Sequence, residues 1–391
     1  MSKLIYISHE PLTKFLYKLF YLEEVQSAGI EVEYWDCSNI SWKGILLPDM
    51  ISAPYIKKIK DVQNFYKEIS QTNLNNTIFS VELRRDKTNL ELFKILSNFN
   101  CYMIRFKLFE NAVLPITLKE IFRSIQSGKI IKDIINRFRR NYEIKIINNL
   151  YKKNNIKDYD IQFSPSYNSG NVLINHPDYD EYLKHKNPIT GKKHIVYIDN
   201  YFPFHPDIKT FNKNINQVNI TQHYKEMNVI FNKLEEKYNI EVIIAAHPKS
   251  NYQNNEFQGR KIIKYKTQEL ISNANLVILH SSNAIAFAVA YNIPFMFIST
   301  SQYKLIKTEY YRMRRLSSYF KAPIITINNI DKEIQKPYHI PEKYIQKYKY
   351  TFLTKPNIEN QLNKDIIIST LKNSFKRIES DKNDVFLPLK K

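Results

Sequence analysis

Apolar positions in this chain fall in short runs separated by longer stretches of mixed polarity. KLIYISH (3–9) is the first run, of strand length and rich in branched and aromatic side chains. Apolar residues at helical spacing follow over 11–28. Gly29 stops them, and IEVEYWD (30–36) alternates with the two-residue period of a half-buried strand. TIFSVEL (77–83) and CYMIRFKL (101–108) predict further strands, with helical patterns over 56–70, 88–98 and 117–151. Such alternation predicts an α/β fold on a parallel sheet.

A polar, charged stretch holding Pro188 and Gly191, KHKNPITGKK (184–193), interrupts the pattern and has linker chemistry. Beyond it the alternation restarts. Strands are predicted at HIVYID (194–199), EVIIAAH (241–247), LVILH (276–280) and FMFIS (295–299), and helices over 220–238, 267–273 and 282–291. A helix over 359–379 and a charged, basic tail complete the chain. With 391 residues the chain is long for one core. Two Rossmann-like domains are therefore predicted, 1–185 and 186–391, the second carrying the C-terminal helix. Open α/β sheets bind ligands at the carboxyl ends of their strands, so polar residues at those ends are the candidates for chemistry.

Six glycines leave no Gly-rich phosphate loop, so a bound phosphate needs another cradle. The net charge of +20 has two readings. One is an anionic partner, whether nucleic acid, nucleotide-sugar or lipid headgroup. The other is drift toward Lys, Asn, Ile and Tyr, as an AT-rich coding sequence produces. Basic residues are spread along the chain, the densest cluster being Arg137-Phe138-Arg139-Arg140. No nucleic-acid motif or aromatic stacking platform accompanies them, and no nucleic-acid partner is expected. Cys37 and Cys101 have no metal or redox spacing, and the first residues lack the apolar core of a secretory signal; a cytoplasmic location is expected. Leu276 to Thr300 holds no Asp, Glu, Lys or Arg, but His280-Ser281-Ser282-Asn283 and Pro294 interrupt it. That predicts strand, polar turn, helix and strand instead of a membrane span.

Three His-Pro pairs stand near the ends of apolar runs, at His176, His205 and His247. Pro248 fixes the φ after His247 and holds the loop out of helix. His247 is thus expected at a strand's carboxyl end, where an imidazole can donate to a departing phosphate. A histidine that merely ends the strand is the alternative. Lys249 adds positive charge beside it, as Arg260 does further on. His280-Ser281-Ser282 offers two hydroxyls at a helix start, an anion site that needs no glycine, and plain capping is compatible with it. Asp199 and His205-Pro206-Asp207 follow the first strand of the second half. They are expected to touch a ligand or to order the loop. Asp178-Tyr179-Asp180-Glu181 and His9-Glu10 supply carboxylates able to take a proton. Asp178-Tyr179-Asp180 also has the spacing of a divalent-cation site, or of an acidic first helical turn.

His-Pro at one strand end, followed about 33 residues on by Ser-Ser at another, resembles the HP and S/T motifs of bacterial sialyltransferases, polysialyltransferases and Kdo transferases. AIAFAVAYNIPFMFI is similar to that family's small-residue helix and apolar strand. YIDNYFPFHPDIK (197–209) and GNVLINHPDYDEYL (170–183) resemble segments of bacterial surface-polysaccharide glycosyltransferases. The resemblance covers roughly 170–300 and hardly touches the first 150 residues. It implies the GT-B plan: two Rossmann-like domains facing across a cleft, the first binding acceptor and the second a nucleotide-sugar. It further implies inverting transfer of a nonulosonic or Kdo-type keto-sugar from a CMP donor to a surface glycan or glycolipid. His247 would contact or protonate the CMP phosphate, Ser281 and Ser282 would bind it, and no cofactor or metal is expected. The family's acidic-acidic-Gly base motif is absent, which leaves the base among Asp178, Asp180 and Glu10. A UDP- or GDP-sugar donor, a non-catalytic assembly protein and a basic nucleic-acid-binding protein are the alternatives. Peripheral contact with the inner face of the cytoplasmic membrane completes the expected partners.

Overall fold

The computed structural model describes residues 2–43, 47, 49–108, 130–166, 170–185, 193–252, 255–335 and 339–383. Most of the predicted linker, the helical pattern over 117–129, the basic tail after 383 and the side chains of Arg137, Arg139, Arg140 and Asp207 lie outside the described residues. Among the described residues the chain forms two compact units. One takes the chain to Ile174 and again from Gln361; the other takes Asn175–Asn360.

The first unit's sheet is built from β1 (Lys3–Ser8), β2 (Glu31–Asp36), β3 (Ile56–Lys58), β4 (Thr77–Glu82), β5 (Tyr102–Phe106), β6 (Ile161–Ser164) and β7 (Val172–Leu173). Their order is β3-β2-β1-β4-β5-β6-β7, with every pairing parallel. Alternation along β1 puts Leu4 and Tyr6 into one core and Ile5 and Ile7 into another, on opposite faces. Covering both faces is what an all-parallel sheet requires. Between β1 and β2 the predicted single helix is two, Lys14–Leu19 and Leu22–Ser27, broken where Tyr21 takes φ 57°. The helix predicted over 56–70 begins later. Residues 56–58 form an edge strand, and Asp61 caps Val62–Gln71 by accepting the Asn64 N–H at 2.7 Å.

The domain boundary is corrected in two ways. It falls at Ile174/Asn175, eleven residues before the predicted one, because GNVL ends the first sheet while His176 begins a helix of the second unit. The C-terminal helix, Asn363–Asn383, belongs to the first unit. Ile367, Leu371, Phe375 and Ile378 pack with Leu4, Tyr6, Ile78 and Phe163, and Asn363 donates to the Tyr21 hydroxyl at 2.9 Å.

The second unit's strands are β8 (His194–Ile198), β9 (Val242–Ala246), β10 (Ile262–Lys264), β11 (Ala274–Leu279), β12 (Phe295–Ile298) and β13 (Ile324–Ile325). The order β10-β9-β8-β11-β12-β13, again parallel, is the Rossmann order 3-2-1-4-5-6. Helix Ile220–Tyr238 lays Tyr224, Met227, Ile230, Phe231 and Leu234 on one face of this sheet, each worth roughly 1.5–3 kcal/mol of burial. The α/β architecture with two Rossmann-like units is thus the one expected. Leu276 to Thr300 is strand, turn, helix and strand, and among the described residues no helix is long and apolar enough to cross a membrane.

In the first unit the strand order reverses between β1 and β4, where Glu82 is half-buried. Its Oε1 accepts the Phe106 N–H and the Ser80 hydroxyl, each at 3.0 Å. Burial pushes this carboxyl from 4.5 up to about 7, against the pull of Arg105 and those bonds. A folded-state value above the unfolded one means that stability is lost as pH rises between them. Glu82→Gln keeps an acceptor oxygen and removes the charge. Its Tm is expected to fall less than the parent's between pH 5 and pH 8, as a pair of thermal melts would show.

Candidate functional site

In the second unit the strand order reverses between β8 and β11, the place where such sheets bind ligands. Asp199 follows β8 and is 4% exposed. Its Oδ1 accepts the Tyr201 N–H at 2.8 Å, and its Oδ2 accepts the His247 N–H at 3.2 Å and the Tyr252 hydroxyl at 2.6 Å. Burial raises its carboxyl to about 6, with the three bonds opposing. Asp199 therefore orders the loops after β8 and β9, one of the two roles expected of it.

His247 follows β9 and is half-buried, with Pro248 and Lys249 exposed behind it. Its Nδ1 accepts the Lys249 N–H at 3.1 Å. The neutral ring must then carry its proton on Nε2. The His205 ring packs edge-on against it at 4.7 Å between centroids. Two of the three His-Pro pairs are thus brought together. Arg260 is not with them: it is held by Glu235 and Asn228 and lies over Phe231.

At the end of β11 the expected pair of hydroxyls divides. Ser281 is 4% exposed, and its Oγ lies 3.1 Å from the Tyr303 hydroxyl and 3.4 Å from Glu309 Oε2. It faces the interior. Ser282 accepts the Ala284 N–H at 3.2 Å and lines a cavity of about 160 Å³. The helix behind it, Ile285–Ala290, is under two turns long. His280 is also interior. It lies 2.6 Å from the Ile298 carbonyl, stacks on Tyr303 at 4.1 Å, and is pushed down to about 4 by burial. In the neutral ring the one proton is on Nδ1 and goes to the Ile298 carbonyl, so His280 and Ser281 are both placed in the interior, whereas Ser282 lines the cavity.

The cavity's other walls come from elements missed in the sequence. Helix Lys307–Phe320 contributes Thr308, Tyr311, Arg312, Arg315 and Leu316, which share one face at i, i+3, i+4, i+7 and i+8. Arg312 donates to Asn283 Oδ1 at 3.0 Å. His176, the third His-Pro histidine, lines the cavity and caps helix Pro177–Lys184, its Nδ1 accepting the Asp178 N–H at 3.2 Å. Burial holds His176 down near 4. Burial and then Glu181 raise Asp178 to about 7, although its side chain keeps 26% exposure. Asp180, 1% exposed, is paired with Lys184 at 3.3 Å. Asp178 and Asp180 thus have different partners, His176 and Lys184. Among the described residues no cluster of three His, Cys, Asp or Glu is arranged to hold a metal.

In the first unit His9 joins the two strands at the reversal, its Nδ1 2.7 Å from the Glu82 carbonyl. Its Nε2 lies 3.2 Å from Glu10 Oε1. Desolvation pulls the imidazole down, but Glu10 and that carbonyl outweigh it, so His9 is raised. With an acceptor at each nitrogen, His9 is no base, and Glu10 is the carboxylate of the dyad. Trp42 stacks near His9 at 6.4 Å, with Arg84 over its ring at 5.9 Å.

No protein-family model matches the chain, and neither does any curated protein. Among solved structures it is similar to the wall teichoic acid polymerase TagF soaked with CDPG (13% identity, TM-score 0.49, 96% of this chain and 90% of that one). It is also similar to spinosyn forosaminyltransferase SpnP (11%, 0.45, 96% and 99%) and to Acinetobacter baumannii MurG (8%, 0.39, 97% and 99%). At such identities the likeness is one of fold alone.

Proposed function

We propose that this chain is a GT-B glycosyltransferase that moves an acidic keto-sugar, of the nonulosonic or Kdo type, from a CMP donor to a surface glycan or glycolipid. One observation carries the reading. His247 stands at the carboxyl end of β9, and its Nδ1 accepts the Lys249 N–H, which puts the neutral ring's proton on Nε2. That tautomer protonates or hydrogen-bonds a departing phosphate, which stabilises the charge that develops on CMP. His205 and the exposed Lys249 stand beside it. Ser282 supplies the hydroxyl contact. Asp178, poised near neutrality, is the acceptor's base within this unit, and Glu10 is the candidate in the other. Direct displacement by the acceptor hydroxyl inverts the anomeric centre. Neither cofactor nor metal is required, and the enzyme works at the inner membrane face through peripheral contact.

Thermal melts with CMP, CDP, UDP and GDP, with and without EDTA, test the reading. A ligand that binds only the folded state raises Tm with its occupancy. CMP is expected to raise Tm regardless of EDTA. A rise with UDP or GDP and none with CMP would move the donor to the other nucleotide class, and EDTA-sensitive rises would bring a metal into the mechanism.

A further inference from the structure

Resting on the donor reading above, we propose that Arg312 and Arg315 form a subsite for the carboxylate of an acidic sugar, in that reading the donor's own. The two arginines lie one helical turn apart on the face that lines the cavity. A guanidinium's planar fork matches a carboxylate with two parallel hydrogen bonds. Arg312 is oriented by a neutral amide, Asn283, which leaves its charge uncompensated at that contact. Glu309, on the same helix, points its carboxylate toward Ser281.

The rest of the cavity argues for a sugar acid over a bare anion. Ala286, Leu316, Phe352 and Leu353 give it an apolar wall. Such a wall packs on a carbon skeleton and strengthens the ion pair by excluding water. A volume of about 160 Å³ is about ten times the ~10–15 Å³ that holds one water, enough for a sugar ring and far more than a phosphate uses. His176, held neutral by burial, adds no third cation. Asp178 is near enough to raise Tyr348 on the cavity wall, and its own carboxyl titrates only near 7, so it does not repel an incoming anion under mildly acidic conditions.

Carboxylate and phosphate are both anions, so the test separates them. N-acetylneuraminate, its neutral methyl ester, inorganic phosphate and CMP are titrated against the whole chain by ligand-observed NMR. The acid should bind at least 10-fold tighter than the ester. Arg312→Gln and Arg315→Gln should each weaken the acid 10-fold or more and change CMP less than 2-fold. Arg315→Lys should fall between, because it keeps the charge and loses the fork. Arg312 is exposed, so its variant keeps the fold and serves as the control for misfolding. Equal binding of acid and ester, or indifference to both substitutions, overturns the subsite. Parallel loss of CMP and phosphate in both variants overturns it in favour of a phosphate site. Arginine-dependent binding of the acid by a chain that ignores CMP upholds the subsite while the CMP reading falls.

Discussion

On the proposed reading, His247→Ala should lower the rate of sugar transfer by about 10²–10⁴-fold, the usual contribution of a positioned acid. The loss should lie in kcat more than in KM, because a proton donated to the leaving phosphate matters most in the transition state. Folding should survive. The ring is half-buried and meets the Lys249 N–H and the edge of His205. Its backbone N–H, which Asp199 anchors, is kept by any substitution other than proline. His247→Gln, with an amide that can still donate, should recover part of the rate. Steady-state kinetics beside a thermal melt separates these outcomes. An alanine variant with parental kcat would remove His247 from the chemistry.

Asp199→Ala should disable the protein by a different route. Three donors converge on this one carboxyl, and leaving a buried donor unsatisfied costs about 1–3 kcal/mol each. The variant should therefore lose about 3 kcal/mol or more at pH 5 by the same reckoning. The cost depends on pH, with a sign fixed by the raised carboxyl. The folded value of about 6 exceeds the ordinary 3.8, so the parent loses stability as pH climbs between them. Roughly two pH units correspond to about 3 kcal/mol. The alanine variant lacks this dependence, so the gap between the two should narrow from pH 4 to pH 7. Denaturant melts at four pH values would show it. A gap that widens with pH would mean that the three donors hold the ionised carboxylate below its ordinary value, and the raised carboxyl would be refuted. Activity should fall in either case, since His247 is held in place through this carboxylate.

The long apolar runs predicted their strands well. KLIYIS, TIFSVE, VIIAA and ANLVIL are strands within a residue or two of expectation, because a buried parallel strand announces itself by continuous apolar character. Strands of two to four residues at the margins, β3, β6, β7, β10 and β13, are too short to show a period. The division of Ser281 from Ser282 was legible in principle. Successive residues leaving a strand point to opposite sides, so the two hydroxyls were poor candidates for one ligand. Asp178 and Asp180, two apart on a helix, diverge for a similar reason. Arg312 and Arg315 were missed because their helical face mixes Thr, Tyr, Arg and Leu and gives no apolar stripe. The partner of the C-terminal helix was beyond local reading altogether. Periodicity marks a helix and its apolar side, but not which distant sheet receives it.

That late helix also fixes an order of events during synthesis. A ribosome delivers Leu4 and Tyr6 well before Phe375, a wait on the order of 20–75 s at about 5–20 residues per second. Throughout that interval the unit made first has an uncovered apolar flank, while Asn175–Asn360 emerges with its own core already in hand. The nascent chain should thus finish its second unit before its first and depend on chaperones for the flank left open. A stop codon before Asn363 would not give a merely shorter protein. It would give a chain in which that wait never ends.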